Sequence, residues 1–244
     1  MSPVEPIHLL LIGDCTLATS YLPDHLRNEV LLAERLRRAY PHDHIMITNE
    51  GLDGESIAGF LQRYDRTIAR HPLPDYVFVR YGVNDRRDYG IDQFRALLLQ
   101  LIQQLQHDLP ALRILLETGM FVDYPAHYAW DRNRVLQPLY DVIREVAAQH
   151  DLPLVDLYDR MLQETARGNW DLRVRGYGSV EPNDVVLGAG RDELYSDDIH
   201  WFTNIHPNPR GMRVIASEEV RVLQHHWPLT LQPHNYQAQE YGVG

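Results

Sequence analysis

The sequence predicts an open α/β fold in which helices cover both faces of a parallel sheet of about five strands. The first observation is that short apolar runs of strand length alternate along the chain with longer segments of helical periodicity. The second is that most of these runs end in a turn with glycine or polar residues. A chain of 244 residues with 44% hydrophobic residues can bury one sizeable core. We therefore expect a single domain over residues 1–228, followed by a polar tail over 229–244.

Each predicted strand is an apolar run, and the predicted helices lie between and after these runs. The strands cover residues 7–12, 44–48, 75–81, 113–119 and 152–157, and the helices are centred on 28–40, 57–68, 92–108, 134–150 and 214–220. Asn28 is the predicted N-cap of the first of these helices, and Pro153 places the last strand at a start or edge position. Residues 168–194 lose periodicity, and the sequence assigns them no role.

Composition and charge exclude several classes of function. A net charge of −11 and a pI near 5.6 argue against a nucleic-acid partner or an anionic membrane surface, because both need clustered basic residues. A single cysteine excludes an internal disulfide and a zinc site built from several cysteines. Residues 1–6 carry no basic region, and no apolar run has membrane-spanning length, so we expect no signal peptide, no membrane span and a cytoplasmic protein.

Candidate functional residues follow the predicted strands. Cys15 comes directly after the first strand, Gly54 follows the second, and Asn84 follows the third. The carboxyl ends of parallel strands meet at one edge of a sheet, where open α/β folds bind ligands. A lone cysteine is ordinarily a small buried apolar residue. At this edge, a helix beginning soon after Cys15 would favour its thiolate.

Four motifs stand in a fixed order along the chain. They are Gly13-Asp14-Cys15, the segment Gly54-Glu55-Ser56, the run Gly82-Val83-Asn84-Asp85, and an acid and histidine within 197–206. In this order they resemble the SGNH subgroup of the GDSL hydrolases, over about residues 7–216. The resemblance implies a flavodoxin-like three-layer α/β/α sandwich and an esterase or acylhydrolase activity that needs no cofactor.

The resemblance also implies a role for each motif. Cys15 stands where the family has its nucleophilic serine, and the Cys15 and Gly54 N–H groups and the Asn84 amide would form the oxyanion hole. Whether natural or introduced, a cysteine keeps a nucleophile at this position. Sulfur is larger than oxygen and a better leaving group, so the site can acylate and still turn over poorly.

The histidine motif departs from the family pattern and leaves two assignments open. His206 is followed by the expected proline, asparagine and glycine, but Thr203 stands where the family has its aspartate. Asp197 and His200 have the family spacing, but they lie too far before the glycine. Either His200 is the base and an insertion follows it, or His206 is the base and its acid is Asp197 or Asp198. We favour His206.

The implied reaction is hydrolysis of a small acyl ester through an acyl-enzyme on Cys15. The aromatic loop over 120–131 is compatible with an acylated carbohydrate. The alternatives are acyl transfer to a sugar or alcohol, a binding protein of the same fold with impaired catalysis, and a metal site of His127, His200 and His206. The spacing of these histidines matches no compact ligand motif. The sequence predicts neither the acyl and alcohol groups nor the oligomeric state.

Overall fold

The sheet has five parallel strands and confirms the predicted fold class. The computed structural model describes residues 6–20, 22–121, 131–167, 206–207 and 209–226. The strands are β1 (Ile7–Gly13), β2 (Ile45–Asn49), β3 (Tyr76–Arg80), β4 (Arg113–Glu117) and β5 (Leu154–Val155), in the spatial order β2-β1-β3-β4-β5. From β1 the chain passes to β2 on one side and then to β3 on the other side. The topological switch point, where such folds bind ligands, therefore lies between β1 and β3, beside Cys15.

Helices complete the three-layer sandwich. Along the chain they are α1 (Cys15–Ala18), α2 (Asn28–Ala39), α3 (Ile57–Arg70), α4 (Asp85–Asp88), α5 (Ile91–Asp108), α6 (Asp131–Gln149), α7 (Leu157–Ala166) and α8 (Pro209–His226), with a short 3-10 turn over Asp24–Leu26. Helix α2 packs against α8, which also contacts α7 and β5, while α5 contacts both α3 and α6. Right-handed crossovers place the first group on one face of the sheet and the second on the other.

The core lies on both faces of the central strands. Every residue of β1 and of β3 is buried, as expected for parallel strands covered by helices on two sides. The apolar stripes of α3 and α5 lie against one of these faces and include Ile57, Phe60, Phe94 and Leu98, all buried. The domain core is therefore continuous beneath the edge that carries Cys15.

Three predictions about the elements need correction. The run over 152–157 gives only two residues of strand, because Asp156 accepts a hydrogen bond from the Asp159 N–H at 3.1 Å and begins α7, which the sequence analysis missed. The short helix α4 was also missed. Asn28 lies inside α2 after the N-cap Arg27, since its side-chain amide donates to buried Glu219 instead.

The remaining expectations concern the edge strand, three irregular segments and membrane-spanning helices. The strand that follows Pro153 is at the edge of the sheet, as its proline indicated. Most of the aromatic loop (122–130), the segment 168–194 and the tail 229–244 lie outside the described residues. Within the described part of the chain, no helix is both long and apolar enough to cross a membrane.

A buried cationic side chain lies beneath the edge that carries Cys15. Arg80 is fully buried at the end of β3, where its Nε donates to Glu117 at 2.7 Å and its Nη2 donates to Glu219 of α8 at 2.7 Å. Its Nη1 donates to the Thr16 carbonyl at 3.1 Å, inside α1. Arg80 therefore joins two strands, the helix that begins at Cys15 and the last helix of the domain.

One cation faces two buried carboxyl groups, and this determines their protonation. Burial and the negative charge of Glu117 raise the pKa of Glu219 to about 8. Both carboxyl groups lie around the single guanidinium of Arg80, which donates to each of them at 2.7 Å. Near neutral pH Glu219 therefore holds its proton.

This protonation predicts how stability depends on pH. The native state holds the Glu219 proton up to a pKa of about 8, whereas the unfolded chain releases it near its usual value of 4.5. The contribution is present below the lower value and is lost as the pH rises through the higher one. Between about pH 6 and pH 8 the free energy of unfolding should fall by on the order of 2 kcal/mol more in the wild type than in Glu219→Gln.

Urea unfolding at both pH values measures this difference. The matched control is Glu34→Gln, which removes an exposed carboxylate paired with Arg38 on α2. If the Glu219 and Glu34 variants change in parallel with the wild type across this range, Glu219 is not protonated in the native state.

Candidate active site

The turn that carries Cys15 is fixed by the acid before it. Asp14 is fully buried and is the N-cap of α1, where its Oδ1 accepts from the Thr16 N–H at 2.9 Å and the Thr16 Oγ1 at 2.8 Å. Its own N–H donates to the Arg80 carbonyl at 3.1 Å. Burial raises the pKa of Asp14 to about 6, although the two hydrogen bonds from Thr16 lower it. Asp14 therefore holds the turn that carries Cys15.

Two glycines are required at this edge for different reasons. A Cβ on Gly13 would lie 2.5 Å from the Arg80 carbonyl oxygen and 2.8 Å from the Leu17 side chain, so only glycine allows β1 and β3 to come this close. Gly54 has a φ of +77°, a conformation that residues with a Cβ rarely adopt. This conformation belongs to the turn between β2 and α3, whose backbone reaches Cys15.

Three predicted site residues come together in the structure. The backbone N–H of Gly54 and the side-chain amide of Asn84 lie close enough to the Cys15 thiol to lower its pKa. These residues follow β1, β2 and β3, which are neighbours in the sheet. Asn84 is 3% exposed, and its Nδ2 also donates to the Glu55 carbonyl at 3.0 Å. The Asn84 amide is thus bonded to the loop that carries Gly54 and lies beside the Cys15 thiol.

The charge state of Cys15 differs from the sequence expectation. Burial and the nearby charges of Asp14 and Asp53 raise the pKa of the thiol to about 12, and the hydrogen bonds from Gly54 and Asn84 lower it less. Helix α1 has only four residues, and the Asp14 carboxylate already accepts from the Thr16 N–H in its first turn. The helix therefore does not produce a thiolate, and Cys15 is a neutral thiol near pH 7.

The histidine part of the prediction is described only in part. His206 is buried and lies three residues before the start of α8. The alternative base His200 and both candidate acids, Asp197 and Asp198, lie outside the described residues. His127 and His200 of the metal alternative lie there too, and the described residues hold no group of three or more side chains suited to a metal ion.

The sequence analysis missed two networks that surround the site. The first is the Arg80 group. Each of two neighbouring predicted strands carries a charged residue near its end, and this pattern could have revealed the group, because Arg80 and Glu117 are register partners on adjacent strands. In the second, Glu55 accepts hydrogen bonds from Arg63 and Tyr81. No pattern along the sequence marks this second network, since its three members lie on different elements.

Comparisons with solved structures agree with the fold. The lipase/acylhydrolase from Enterococcus faecalis is 21% identical with a TM-score of 0.60, and the match covers 90% of this chain and 96% of that one. Axe2, an acetylxylan esterase from Geobacillus stearothermophilus, is 17% identical with a TM-score of 0.63 over 91% and 96%. LAE5, an α/β hydrolase from the metagenome of Lake Arreo, is 19% identical with a TM-score of 0.63 over 88% and 94%.

The fold and the edge residues define an α/β protein of the hydrolase type, with a nucleophilic side chain beside two N–H donors. The model of the GDSL-like lipase/acylhydrolase family matches residues 11–214. The chain therefore belongs to this family, which confirms the resemblance drawn from its motifs. None of the curated proteins matches the chain.

The raised pKa predicts how Cys15 reacts with an alkylating reagent. Iodoacetamide should modify it slowly near neutral pH, because the thiolate is the reactive form and is scarce well below the pKa. Asp53→Asn removes one of the charges that raise this pKa. We expect it to speed alkylation at about pH 9 by roughly two- to fivefold.

Intact mass against time measures this rate, and the control is Asp92→Asn, which neutralises an exposed carboxylate in the first turn of α5. Rapid modification of the wild type at neutral pH would show that the thiol is ionised and would contradict the raised pKa.

Proposed function

We propose that this protein hydrolyses small carboxylic esters through a covalent acyl-enzyme on Cys15. The observation that carries the proposal is the convergence of the Gly54 N–H and the Asn84 amide on the Cys15 sulfur. The oxyanion is the former carbonyl oxygen on the carbon that becomes bonded to this sulfur, so donors that lie beside the Cys15 thiol lie within reach of this oxygen. Together with the Cys15 N–H they would form the oxyanion hole.

A neutral thiol needs a general base. In the proposed step, His206 takes the Sγ proton as the sulfur bonds to the carbonyl carbon, and Asp197 or Asp198 orients the imidazole. The imidazolium then gives its proton to the departing alcohol oxygen, which leaves a thioester on Cys15. Water, deprotonated by the same histidine, attacks the thioester and releases the acid and the thiol. His200 is the alternative base.

Two further candidates have support of their own. The raised pKa of Cys15 favours a protein of this fold that binds its ligand and turns it over poorly. Axe2, an acetylxylan esterase, shares the fold, and this supports an acylated carbohydrate as the substrate. Transfer of the acyl group to a sugar or alcohol uses the same acyl-enzyme, with the acceptor hydroxyl in place of water.

Replacement of the nucleophile tests the covalent step. Hydrolysis of p-nitrophenyl acetate by the wild type, Cys15→Ser and Cys15→Ala should be measured together with intact mass during turnover. We expect an acetyl adduct on the wild type, faster turnover by the serine variant and no adduct on the alanine variant. Acetylated xylo-oligosaccharides as second substrates, with and without added alcohol acceptors, separate hydrolysis from transfer. Three equally inactive proteins without an adduct would favour the binding protein.

Replacement of Asn84 tests the oxyanion role. Asn84→Ala should lower kcat by about 10²–10³, because a donor that acts in the transition state is lost. KM should change by less than about threefold, since the ground-state ester uses this donor weakly. Steady-state kinetics on p-nitrophenyl acetate measure both constants. Equal losses in kcat and in binding, or no loss in either, would contradict the role.

A further inference from the structure

The two donors beside Cys15 belong to separate loops that meet at Glu55. Gly54 lies in the loop between β2 and α3, and Asn84 lies in the loop between β3 and α4. Glu55 is adjacent to Gly54, and its carbonyl accepts from the Asn84 Nδ2 at 3.0 Å. The backbone of this one residue therefore binds the Asn84 donor and adjoins the residue that carries the other donor.

The side chain of Glu55 is held from two directions. Arg63 of α3 donates to both carboxylate oxygens, from Nε at 2.5 Å and from Nη2 at 2.7 Å. Tyr81 donates from its hydroxyl to the Glu55 Oε2 at 2.9 Å. Both carboxylate partners are themselves buried or nearly so, with Tyr81 at 1% exposure and the Arg63 side chain at 9%. Buried bidentate contacts of this kind restrict a carboxylate strongly.

Arg63 also holds the beginning of the same loop. Its Nη2 donates to the Glu50 carbonyl at 2.6 Å and its Nη1 to the Glu50 carboxylate at 3.2 Å. The Nη1 further donates to the Thr67 Oγ1 at 3.0 Å, on the next turn of α3. One guanidinium group on a rigid helix thus fixes both ends of the segment over 50–55.

We propose that Glu55 is a positioning residue of the oxyanion hole, which Arg63 and Tyr81 hold so that the Gly54 N–H and the Asn84 amide point at the reacting atoms. The inference rests on the proposed function, because it assigns Glu55 no role unless those two groups bind the oxyanion. Glu55 contacts the donors and not the substrate, so it acts through Gly54 and Asn84.

Asp85 provides a second link between the loops, but a different one. Its Oδ1 accepts from the Ile57 N–H at 2.9 Å and its Oδ2 from the Gly82 N–H at 3.0 Å. These bonds fix the backbone at the start of α3 and at the end of β3. Only Glu55 contacts a donor directly, so the direction of the Asn84 amide depends on Glu55 more than on Asp85.

Preorganised donors stabilise an oxyanion because they need no reorientation as charge develops. A small displacement of a donor has little effect on binding of the neutral ester and a large effect on the transition state. Loss of the Glu55 contacts should therefore lower the rate constant of acylation with little change in KM. A purely structural role would lower the fraction of folded protein and leave the rate of the folded molecules unchanged.

The experiment measures acylation of the full chain by p-nitrophenyl acetate, from the burst of p-nitrophenol and from intact mass. Glu55→Gln keeps the size of the side chain but presents an amide to a donor of Arg63 or Tyr81. Tyr81→Phe removes one bond and leaves the ion pair intact. The control, Arg160→Met, breaks an ion pair of Arg160 with Glu218 between α7 and α8.

We expect Glu55→Gln to slow acylation by about tenfold or more, and Tyr81→Phe to slow it less, with KM within about threefold of the wild type in each case. Arg160→Met should acylate at the wild-type rate. In an Asn84→Ala background, Glu55→Gln should slow acylation much less than it does alone, because one of the donors that Glu55 directs is already gone. Thermal unfolding of every variant confirms that the rates refer to folded protein.

The outcomes separate this inference from the proposed function. If the wild type forms no adduct, or if Asn84→Ala acylates as fast as the wild type, the proposed function fails and the inference fails with it. If Asn84→Ala is slow but both Glu55→Gln and Tyr81→Phe react at the wild-type rate, the inference alone is wrong. Additive losses in the double variant would also overturn it, since they would show that Glu55 does not act through Asn84.

Discussion

The buried guanidinium of Arg80 is the constraint on which the turn at Cys15 depends. An unpaired buried charge is very costly, and removal of one partner from a buried ion pair typically costs about 3–5 kcal/mol. Arg80 offsets this cost because it donates hydrogen bonds to Glu117 on β4, to Glu219 on α8 and to the Thr16 carbonyl of α1. Its backbone carbonyl also accepts the Asp14 N–H. The requirement to pair one charge therefore fixes the turn that carries Cys15 relative to both the sheet and α8.

The two charged networks hold different parts of the site. The Arg80 group lies beneath α1 and holds the residue that would react, while Arg63 and Glu55 hold the loops that carry the donors. Each network uses one arginine whose donors reach two carboxyl groups, and each joins elements that are distant in the sequence. The separation has a physical advantage, because a change in the loops need not move the turn. It also explains why a site made of loop residues can be preorganised: its loops are bonded to helices and strands.

The sequence predicted the sheet and the meeting of Cys15, Gly54 and Asn84, because both follow from local pattern. Apolar runs mark the strands, and parallel strands bring their carboxyl ends to one edge. The missed features depend on distant partners. Asn28 does not cap its helix because its amide bonds Glu219, 191 residues away. The apolar run after Pro153 matches the length of a strand and of a helix start equally well, and the structure divides it between β5 and α7.

The electrostatics of Cys15 set the chemistry that this site can perform. The hydrogen bonds from Gly54 and Asn84 favour the thiolate, but burial and the charges of Asp14 and Asp53 outweigh them. Because these donors do not ionise the sulfur, they are not bound to a thiolate before the reaction. They are available for an oxyanion, which forms only when the sulfur has transferred its proton and bonded to carbon. A raised thiol pKa beside two fixed donors therefore makes the proposed reaction depend on a general base. In that proposal, concerted proton removal and attack suit the site better than attack by a preformed thiolate.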